Sequence, residues 1–302
     1  MRVGRILEGT LSALAAPWAV PASSAQPSVM RVIDAASARE VILVGTMHYN
    51  PHSIATVETA IRDAAASGGL HAAAIELCDA RWSSDVARKW NRERSLRRVL
   101  SEDEFQVAFE AALDCGLGDV VLADQPVAES GRRLAVAVAR TVADALSPAG
   151  WRRIGDDGRL ALSQLPAFGA AALDRRILAG TPLAVARYAY SSPAALPLAG
   201  LSAAALALAA AVDEATGAVA GVSDGAVTAL AAVVLGRAGF IALIEERNQV
   251  LAGNIREACL QPPQHLRGGG EAEDAAGAGA AVVAVLGMAH LEGVRAALLV
   301  EQ

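Results

Sequence analysis

The stretch EVILVGTMH, residues 40–48, decides the fold of this chain. Its β-branched and leucine side chains form a short apolar run that a glycine closes, which is typical of a buried strand. A near-copy, AVVAVLGMAH, occupies residues 281–290. Each run continues as glycine, two residues and a histidine. We therefore expect His48 and His290 to lie in the same local setting, although they are far apart in the sequence.

Two more apolar runs, HAAAIELC (71–78) and DVVLADQP (119–126), also resemble strands. Segments with helical periodicity separate the runs: residues 54–67, the charged segment 79–118, and residues 128–146. Residues 281–286 give a fourth strand, and a helix follows at 291–299. Strands that alternate with helices over short connections predict an α/β fold, with a mostly parallel sheet built from βαβ units and flanked by helices.

The chain divides into two parts. Residues 1–30 contain Arg2 and Arg5, an Ala/Leu stretch and small residues, which indicates a targeting segment or a disordered extension. A transit peptide would place the protein in an organelle, chloroplast or mitochondrion; without one we expect a cytoplasmic protein. Glu8 makes secretion the less favoured reading. Residues 31–302 form the α/β domain, with an Ala/Leu-rich helical insertion at 150–260 before the last strand.

Composition limits the possible partners. The chain is 54% hydrophobic, which is ample for a core, and its net charge of −6 gives no basic surface for nucleic acid. Residues 194–212 and 226–244 are long enough to span a bilayer. Pro197 and Gly200 interrupt the first, and Arg237 is costly in lipid in the second. Packed helices are therefore favoured over membrane association, and the oligomeric state is left open.

Polar side chains follow all four predicted strands. His48 and His290 come just after the first and fourth, while Glu76 and Asp124 end the second and third. Ligands of open parallel sheets bind at the carboxyl ends of strands, so we expect these four side chains at one edge. Imidazole and carboxylate together bind divalent transition metals, which activate water and polarise carbonyls. The sequence predicts a Mn, Co, Zn or Fe site with these four ligands, in which Glu76 is also the candidate catalytic base.

Each carboxylate also has a structural interpretation. Glu76 could form an ion pair with Arg81, and Asp124 could initiate a turn before Pro126. The remaining histidines are interpreted as ordinary structural residues. The glycines of the two G-x-x-H motifs, Gly45 and Gly287, are expected to allow a sharp turn and close backbone approach to a ligand.

A second polar cluster is IEERN, residues 244–248, which interrupts an apolar helical region. A charged triplet is usually a solvated helix face. Because this one follows a long apolar stretch, Arg247 and Asn248 are candidates for binding substrate oxygen atoms, and the planar fork of arginine suits a carboxylate or carbonyl.

Five motifs together carry a family resemblance: GTMH (45–48), ELCDAR (76–81), LADQP (122–126), IEERN (244–248) and VLGMAHLEGV (285–294). With them the chain resembles the TraB/PrgY family, which is related to the Tiki metalloproteases and to erythromycin-esterase-like and ChaN-like proteins. Two departures from the family stand out. The family often has an arginine where this chain has Gln125, and many members carry transmembrane helices after the second G-x-x-H.

The resemblance implies an α/β fold with a pseudo-repeated core and, as in the Tiki branch, divalent-metal-dependent peptide hydrolysis. His48, Glu76 and His290 fall on the family's motif positions, and Arg81 belongs to the same E-L-C-x-x-R motif as a candidate substrate-binding residue. We therefore expect a hydrolase of a peptide or amide bond, with a peptide or small molecule as substrate. The alternative is a non-catalytic peptide-binding or regulatory TraB-domain protein, at an organelle membrane in some members of the family.

Overall fold

The computed structural model describes residues 28–82, 102–191, 223–262 and 280–300. They form an α/β fold around a five-stranded, mostly parallel sheet with the order β1-β2-β5-β3-β4. The strands are β1 (Val29–Ile33), β2 (Glu40–Thr46), β3 (Leu70–Ile75), β4 (Val121–Leu122) and β5 (Ala281–Gly287). The fold class predicted from the sequence is confirmed. The last strand inserts between β2 and β3, so the two G-x-x-H strands are direct neighbours.

Strand β1 is an addition to the four predicted strands. It pairs antiparallel with β2, from Val29 opposite Val44 to Ile33 opposite Glu40. The backbone N–H of Gly45 also donates to the carbonyl of Ser28 at 2.7 Å. The ordered domain thus includes Ser28 and begins its first strand at Val29, ahead of the expected start at residue 31.

The helices are α1 (Pro51–Ser67), α2 (Glu104–Asp114), α3 (Val127–Ala145), α4 (Pro148–Ala172), α5 (Arg175–Ser191), α6 (Ser223–Phe240), α7 (Glu246–Leu260) and α8 (Leu291–Leu298). A π-helical turn (Ile241–Glu245) joins α6 to α7, and a 3₁₀ turn (Met288–His290) precedes α8. The described part of the predicted insertion, 150–260, is helical as expected. The predicted helical segment at 79–118 is described only at its ends.

Two apolar layers enclose the sheet because its central strands are buried on both faces. One face packs on α7 and α8 through a cluster that includes Leu43, Leu286, Leu251, Ile255, Leu291 and Val294. The other face packs on α1 and α2 through a cluster that includes Val44, Val285, Val57, Ile61 and Phe105. The result is a three-layer α/β/α arrangement whose carboxyl strand edge lies between helices of both layers.

Arg237, inside the candidate span 226–244, lies in a buried ion-pair network. Its buried guanidinium donates to Asp144 through Nη1 and to Asp157 through Nε, both at 2.7 Å. Among the described residues, no helix combines the length and the apolar character needed to cross a bilayer. The other candidate span, 194–212, lies outside the described residues.

Candidate functional site

The strand order brings the four predicted residues to one edge of the sheet. Across the sheet, β2, β5, β3 and β4 are followed in turn by His48, His290, Glu76 and Asp124. Strand β5 lies between β2 and β3, which both precede it in the chain. At this edge the helices that connect the strands therefore go to opposite faces of the sheet. Sites of open α/β sheets form at such positions.

His290 is fixed in a buried position by a residue of α7. Its Nδ1 donates to Oδ1 of Asn248 at 2.8 Å, and this bond leaves Nε2 with its lone pair. That nitrogen lies 3.6 Å from Oε1 of Glu76. Burial lowers the pKa of His290, and the charge of Glu76 opposes this shift without reversing it. The lowered pKa favours the neutral imidazole, in which Nε2 faces a carboxylate.

Glu76 is held at both of its oxygens. The backbone N–H of Gly287 donates to Oε2 at 2.6 Å, and Nη2 of Arg247 donates to Oε1 at 2.5 Å. The side chain is 6% exposed. A carboxylate with these donors keeps a fixed orientation, and Oε1 is the oxygen that faces His290.

Asp124 is held by two arginines, and its role as a metal ligand stays a prediction. Arg247 donates to both of its oxygens, from Nε to Oδ1 at 3.0 Å and from Nη2 to Oδ2 at 2.7 Å, and Arg81 adds a bond to Oδ2 at 2.5 Å. The N–H of Gln125 also donates to Oδ1. Asp124 is therefore part of an ion-pair network.

The same contacts engage Arg247 and Arg81, the expected substrate-binding residues, within the protein. The fork of Arg247 is used on Glu76 and Asp124, and Arg81 also donates to the backbone carbonyl of Glu76 at 2.9 Å. Burial lowers the pKa of Arg247, but the charges and hydrogen bonds of Glu76 and Asp124 outweigh burial and raise it. Both arginines hold the carboxylates in place.

Asn248, also an expected substrate-binding residue, is engaged by His290. It is fully buried, and its Oδ1 is used by His290 while Nδ2 has no partner among the described residues. The π-helical turn directly before α7 shifts the helical phase at this point, and such turns are frequent at functional sites. Glu246 meets Arg133 on the outside at 3.6 Å, while Arg247 and Asn248 reach the sheet edge.

His48 lies at the other side of the edge and is 52% exposed. Its Nδ1 contacts Oε1 of Glu104 in a short ion pair. Burial lowers the pKa of His48, but the hydrogen bond and charge of Glu104 outweigh burial and raise it to about 9. Nε2 of His48 has no hydrogen-bond partner among the described residues.

Glu104 is the residue that sequence reasoning missed. It occupies the first turn of α2, directly after the N-cap Asp103, and it is fully buried. Burial raises its pKa, but the hydrogen bond and charge of His48 outweigh burial and lower it. In the sequence it stands in the acidic run SEDE (101–104), which reads as an ordinary helix N-terminus.

The structure gives the two motif glycines roles other than a sharp turn or close approach to a ligand. Gly45 lies inside β2, and a Cβ there would come within 2.4 Å of Cδ1 of Leu291. Gly287 has φ −59° and ψ 141°, which any residue adopts, and its N–H serves Glu76. Gly45 is therefore required by packing, while Gly287 contributes its backbone.

The other histidines behave as predicted where they are described. His52 is buried in α1, and Nε2 of His71 bonds with the carbonyls of Ala258 and Gln261 at 3.2 and 3.0 Å. His265 lies outside the described residues.

The residues at this edge fit a metal ion in part. Nε2 of His290 and Oε1 of Glu76 are separated by 3.6 Å, close to the spacing of two ligands on one tetrahedral ion with bonds of about 2.1 Å. Within the described ranges, no group of three or more His, Cys, Asp and Glu side chains is arranged to hold a metal ion. The pair thus supplies two coordination positions of the right chemistry.

Comparison with models of protein families, with curated proteins and with solved structures finds no match for this chain. The resemblance to the TraB/PrgY family therefore stands on the motif residues alone, and the function is argued from the site.

Proposed function

We propose that this protein is a divalent-metal-dependent hydrolase of the TraB/Tiki type that acts on a peptide or amide bond. The observation that carries the proposal is the pair formed by His290 and Glu76. A neutral imidazole nitrogen with a free lone pair faces a carboxylate oxygen at ligand spacing. Both side chains are buried and held from behind, as ligands of metal centres usually are.

His290 and Glu76 would hold the cation, and His48 is the third candidate ligand, since its Nε2 has no hydrogen-bond partner among the described residues; a cation would have to displace the proton that the raised pKa of His48 keeps on this nitrogen. When bound, a Mn, Co, Zn or Fe ion supplies Lewis-acid activation of water and of a carbonyl group. Glu76 is placed either to bind the cation or to take a proton from water, because Oε1 faces the free nitrogen of His290. Arg247 keeps that oxygen oriented by its bond to it.

The experiment combines metal content with cleavage of a peptide library by the full chain, with and without Mn²⁺ or Zn²⁺. The wild type is expected to bind one ion per chain and to cleave only when loaded. Glu76→Gln should abolish cleavage. Retained metal would identify Glu76 as a base, and lost metal would identify it as a ligand. Glu58→Gln, at an exposed pair with Arg62, is the matched control and should behave as wild type.

His290→Ala and His48→Ala are each expected to weaken metal binding, because each removes a ligand from a small set. A wild-type chain that binds neither ion and cleaves no peptide would contradict the proposal.

A second candidate, a non-catalytic peptide-binding or regulatory protein, is favoured by the charge balance of the site. The two carboxylates, Glu76 and Asp124, are already matched by two guanidinium groups, those of Arg247 and Arg81. An edge that is electrically balanced without a cation suits recognition without chemistry. Peptide binding that persists in EDTA, without any cleavage, would favour this candidate over the hydrolase.

A further inference from the structure

Both oxygens of Glu104 are used on the loop that carries His48. Oε1 contacts Nδ1 of His48 and lies 3.3 Å from the hydroxyl of Thr46, and Oε2 accepts the backbone N–H of Tyr49 at 3.1 Å. The side chain of Glu104 is 0% exposed. A fully buried carboxylate thus accepts from three residues at the end of β2 and in the loop that follows it, Thr46, His48 and Tyr49.

The turn itself is strained. Tyr49 has φ +61°, a left-handed conformation that non-glycine residues seldom adopt and that persists only when the surroundings enforce it. The bond from its N–H to Glu104 is one such restraint. A second is the next residue, Asn50, which caps α1 and donates from Nδ2 to the carbonyl of Ile177 at 2.9 Å. The His48 ring is therefore set by a backbone that is held at several points.

The two G-x-x-H histidines are supported in the same way from opposite layers. Nδ1 of His48 meets an oxygen of Glu104, on the α1/α2 side of the sheet, and Nδ1 of His290 meets an oxygen of Asn248, on the α7/α8 side. In both rings Nδ1 is taken up by the protein. Histidine ligands of metals show this division, in which the second nitrogen is fixed by an oxygen acceptor.

We propose that Glu104 is the positioning residue of His48, which binds Nδ1 and leaves Nε2 as the nitrogen offered to a ligand at the sheet edge. The proposal rests on the proposed function for the identity of that ligand, a divalent cation. The orientation of the ring is a separate claim that can be measured without any cation. A purely structural Glu104 would hold the turn through Tyr49 and Thr46 without determining which nitrogen of His48 is exposed.

The first measurement is the imidazole N–H spectrum of the full-length protein labelled with ¹⁵N-histidine, with His48 assigned from a His48→Gln variant. A hydrogen-bonded Nδ1–H resonance of His48 is expected, far downfield and slow to exchange. In Glu104→Gln this resonance should move upfield or exchange away. Asp103→Asn is the matched control, since it makes the same chemical change one residue earlier and asparagine keeps the helix cap. Asp103 acts on His48 through its charge and not through a hydrogen bond, so in this variant the Nδ1–H resonance should stay far downfield and slow to exchange.

The second measurement is Zn²⁺ affinity by competition titration. Loss of a supporting hydrogen-bond partner typically weakens metal binding about 10- to 100-fold. Glu104→Gln should show a loss of this size, and Asp103→Asn should show none.

Three results would overturn the inference: a wild-type His48 with its hydrogen-bonded proton on Nε2, an unchanged His48 resonance in Glu104→Gln, or equal Zn²⁺ affinity of the two variants. If Glu104→Gln does not fold, the wild-type spectrum still decides which nitrogen is taken up. If the wild type binds no Zn²⁺, the proposed function fails while the ring measurement continues to test the role of Glu104.

Discussion

Arg247 and Asp124 form a two-point ion pair, with Nε 3.0 Å from Oδ1 and Nη2 2.7 Å from Oδ2. The same Nη2 reaches Oε1 of Glu76 at 2.5 Å. One guanidinium therefore joins the carboxylates that follow two neighbouring strands, β3 and β4. This relationship makes Arg247 part of the protein's framework and explains why a charged residue can lie beside an otherwise apolar helical region.

Replacement of Arg247 should therefore cost stability as well as any activity. Arg247→Ala leaves two buried carboxylates with one guanidinium, that of Arg81, and breaking a buried pair in this way typically costs about 3–5 kcal/mol. Urea unfolding followed by circular dichroism measures the loss. Arg132→Ala is the control, because Arg132 is 68% exposed beside Glu129 and such exposed ion pairs contribute little to stability. Equal unfolding midpoints would mean that Arg247 is free for a substrate, as the sequence first indicated.

The sequence was sufficient to place His48, Glu76, Asp124 and His290 at one edge, because the carboxyl ends of parallel strands lie along the same edge of a sheet whatever the strand order. It could not assign their partners. The sequence does not show which acid of the SEDE run points into the core. That depends on the contact between α2 and the end of β2, which are more than fifty residues apart in the sequence. The contacts of Arg247 could not be predicted either, because an arginine that binds a substrate and an arginine that binds two internal carboxylates look identical in the sequence.

A side chain added at position 293 should disturb the hydrogen bond between Asn248 and His290. A Cβ at position 293 would lie 1.9 Å from Nδ2 and 2.6 Å from Cγ of Asn248, which is fully buried. Gly293→Ala should therefore displace the amide, break its bond to His290 and cost about 1–3 kcal/mol through overpacking. Weaker Zn²⁺ binding should accompany the loss of stability.

The matched control for Gly293 is Gly253→Ala on α7, an exposed helical glycine with nothing within 4 Å of the added carbon. Alanine there should stabilise the helix by up to about 1 kcal/mol. Similar thermal shifts of the two variants, in sign and size, would show that Asn248 accommodates the extra methyl group.

Replacement of Asp103 by asparagine should increase stability in a pH-dependent way. Burial and the neighbouring charge of Glu104 raise the pKa of Asp103 to about 7 in the folded chain, above the value of about 3.9 in unfolded peptides. Its ionisation therefore opposes folding, and the contribution of Asp103 to stability falls as the pH rises from about 4 to about 7. Asp103→Asn removes this effect and retains the cap on Gln106.

The variant should melt close to wild type at pH 4 and higher at pH 8. A gain on the order of 1 kcal/mol corresponds to a shift of about 2–4 °C for a domain of this size. Thermal melts at both pH values check the expectation, and a larger gain at pH 4 than at pH 8 would reverse its sign.

The start of the domain gives a test of β1. A chain that begins at Ser28 retains the five residue pairs with β2 and the bond from Gly45 to Ser28, whereas a chain that begins at Asp34 loses them and exposes the edge of β2. The longer chain should remain soluble and fold cooperatively, and the shorter one should aggregate or melt much lower. Equal melting temperatures would mean that β1 contributes little.

Two features of the fold, strand β1 and the strand order, could not be predicted from the sequence pattern. VMRVI (29–33) alternates, with Val32 buried and Arg31 and Ile33 exposed, so it carries the signal of an edge strand in only five residues. By contrast, β2 and β5 are continuous apolar runs that reveal burial on both faces. The insertion of β5 between β2 and β3 leaves no local mark, because it is decided by which faces α7 and α8 cover.

The two G-x-x-H glycines should respond differently to alanine, although their sequence contexts are nearly identical. At Gly45 the new Cβ would meet Cδ1 and Cγ of Leu291 at 2.4 and 2.7 Å, and Leu291 is fully buried in the α7/α8 layer. Gly45→Ala should cost about 1–3 kcal/mol, and the cost should shrink in a Leu291→Ala background, where the space is open. At Gly287 the nearest atoms, Oε2 of Glu76 and Cδ2 of His290, would lie at the ordinary distances of 3.4 and 3.7 Å, and the backbone N–H remains. Gly287→Ala should therefore leave the unfolding midpoint within about 0.5 kcal/mol of wild type. Chemical denaturation of the wild type, the three single variants and the Gly45/Leu291 double variant decides the matter, and a Gly287 variant as unstable as the Gly45 variant would show that both glycines are required by packing.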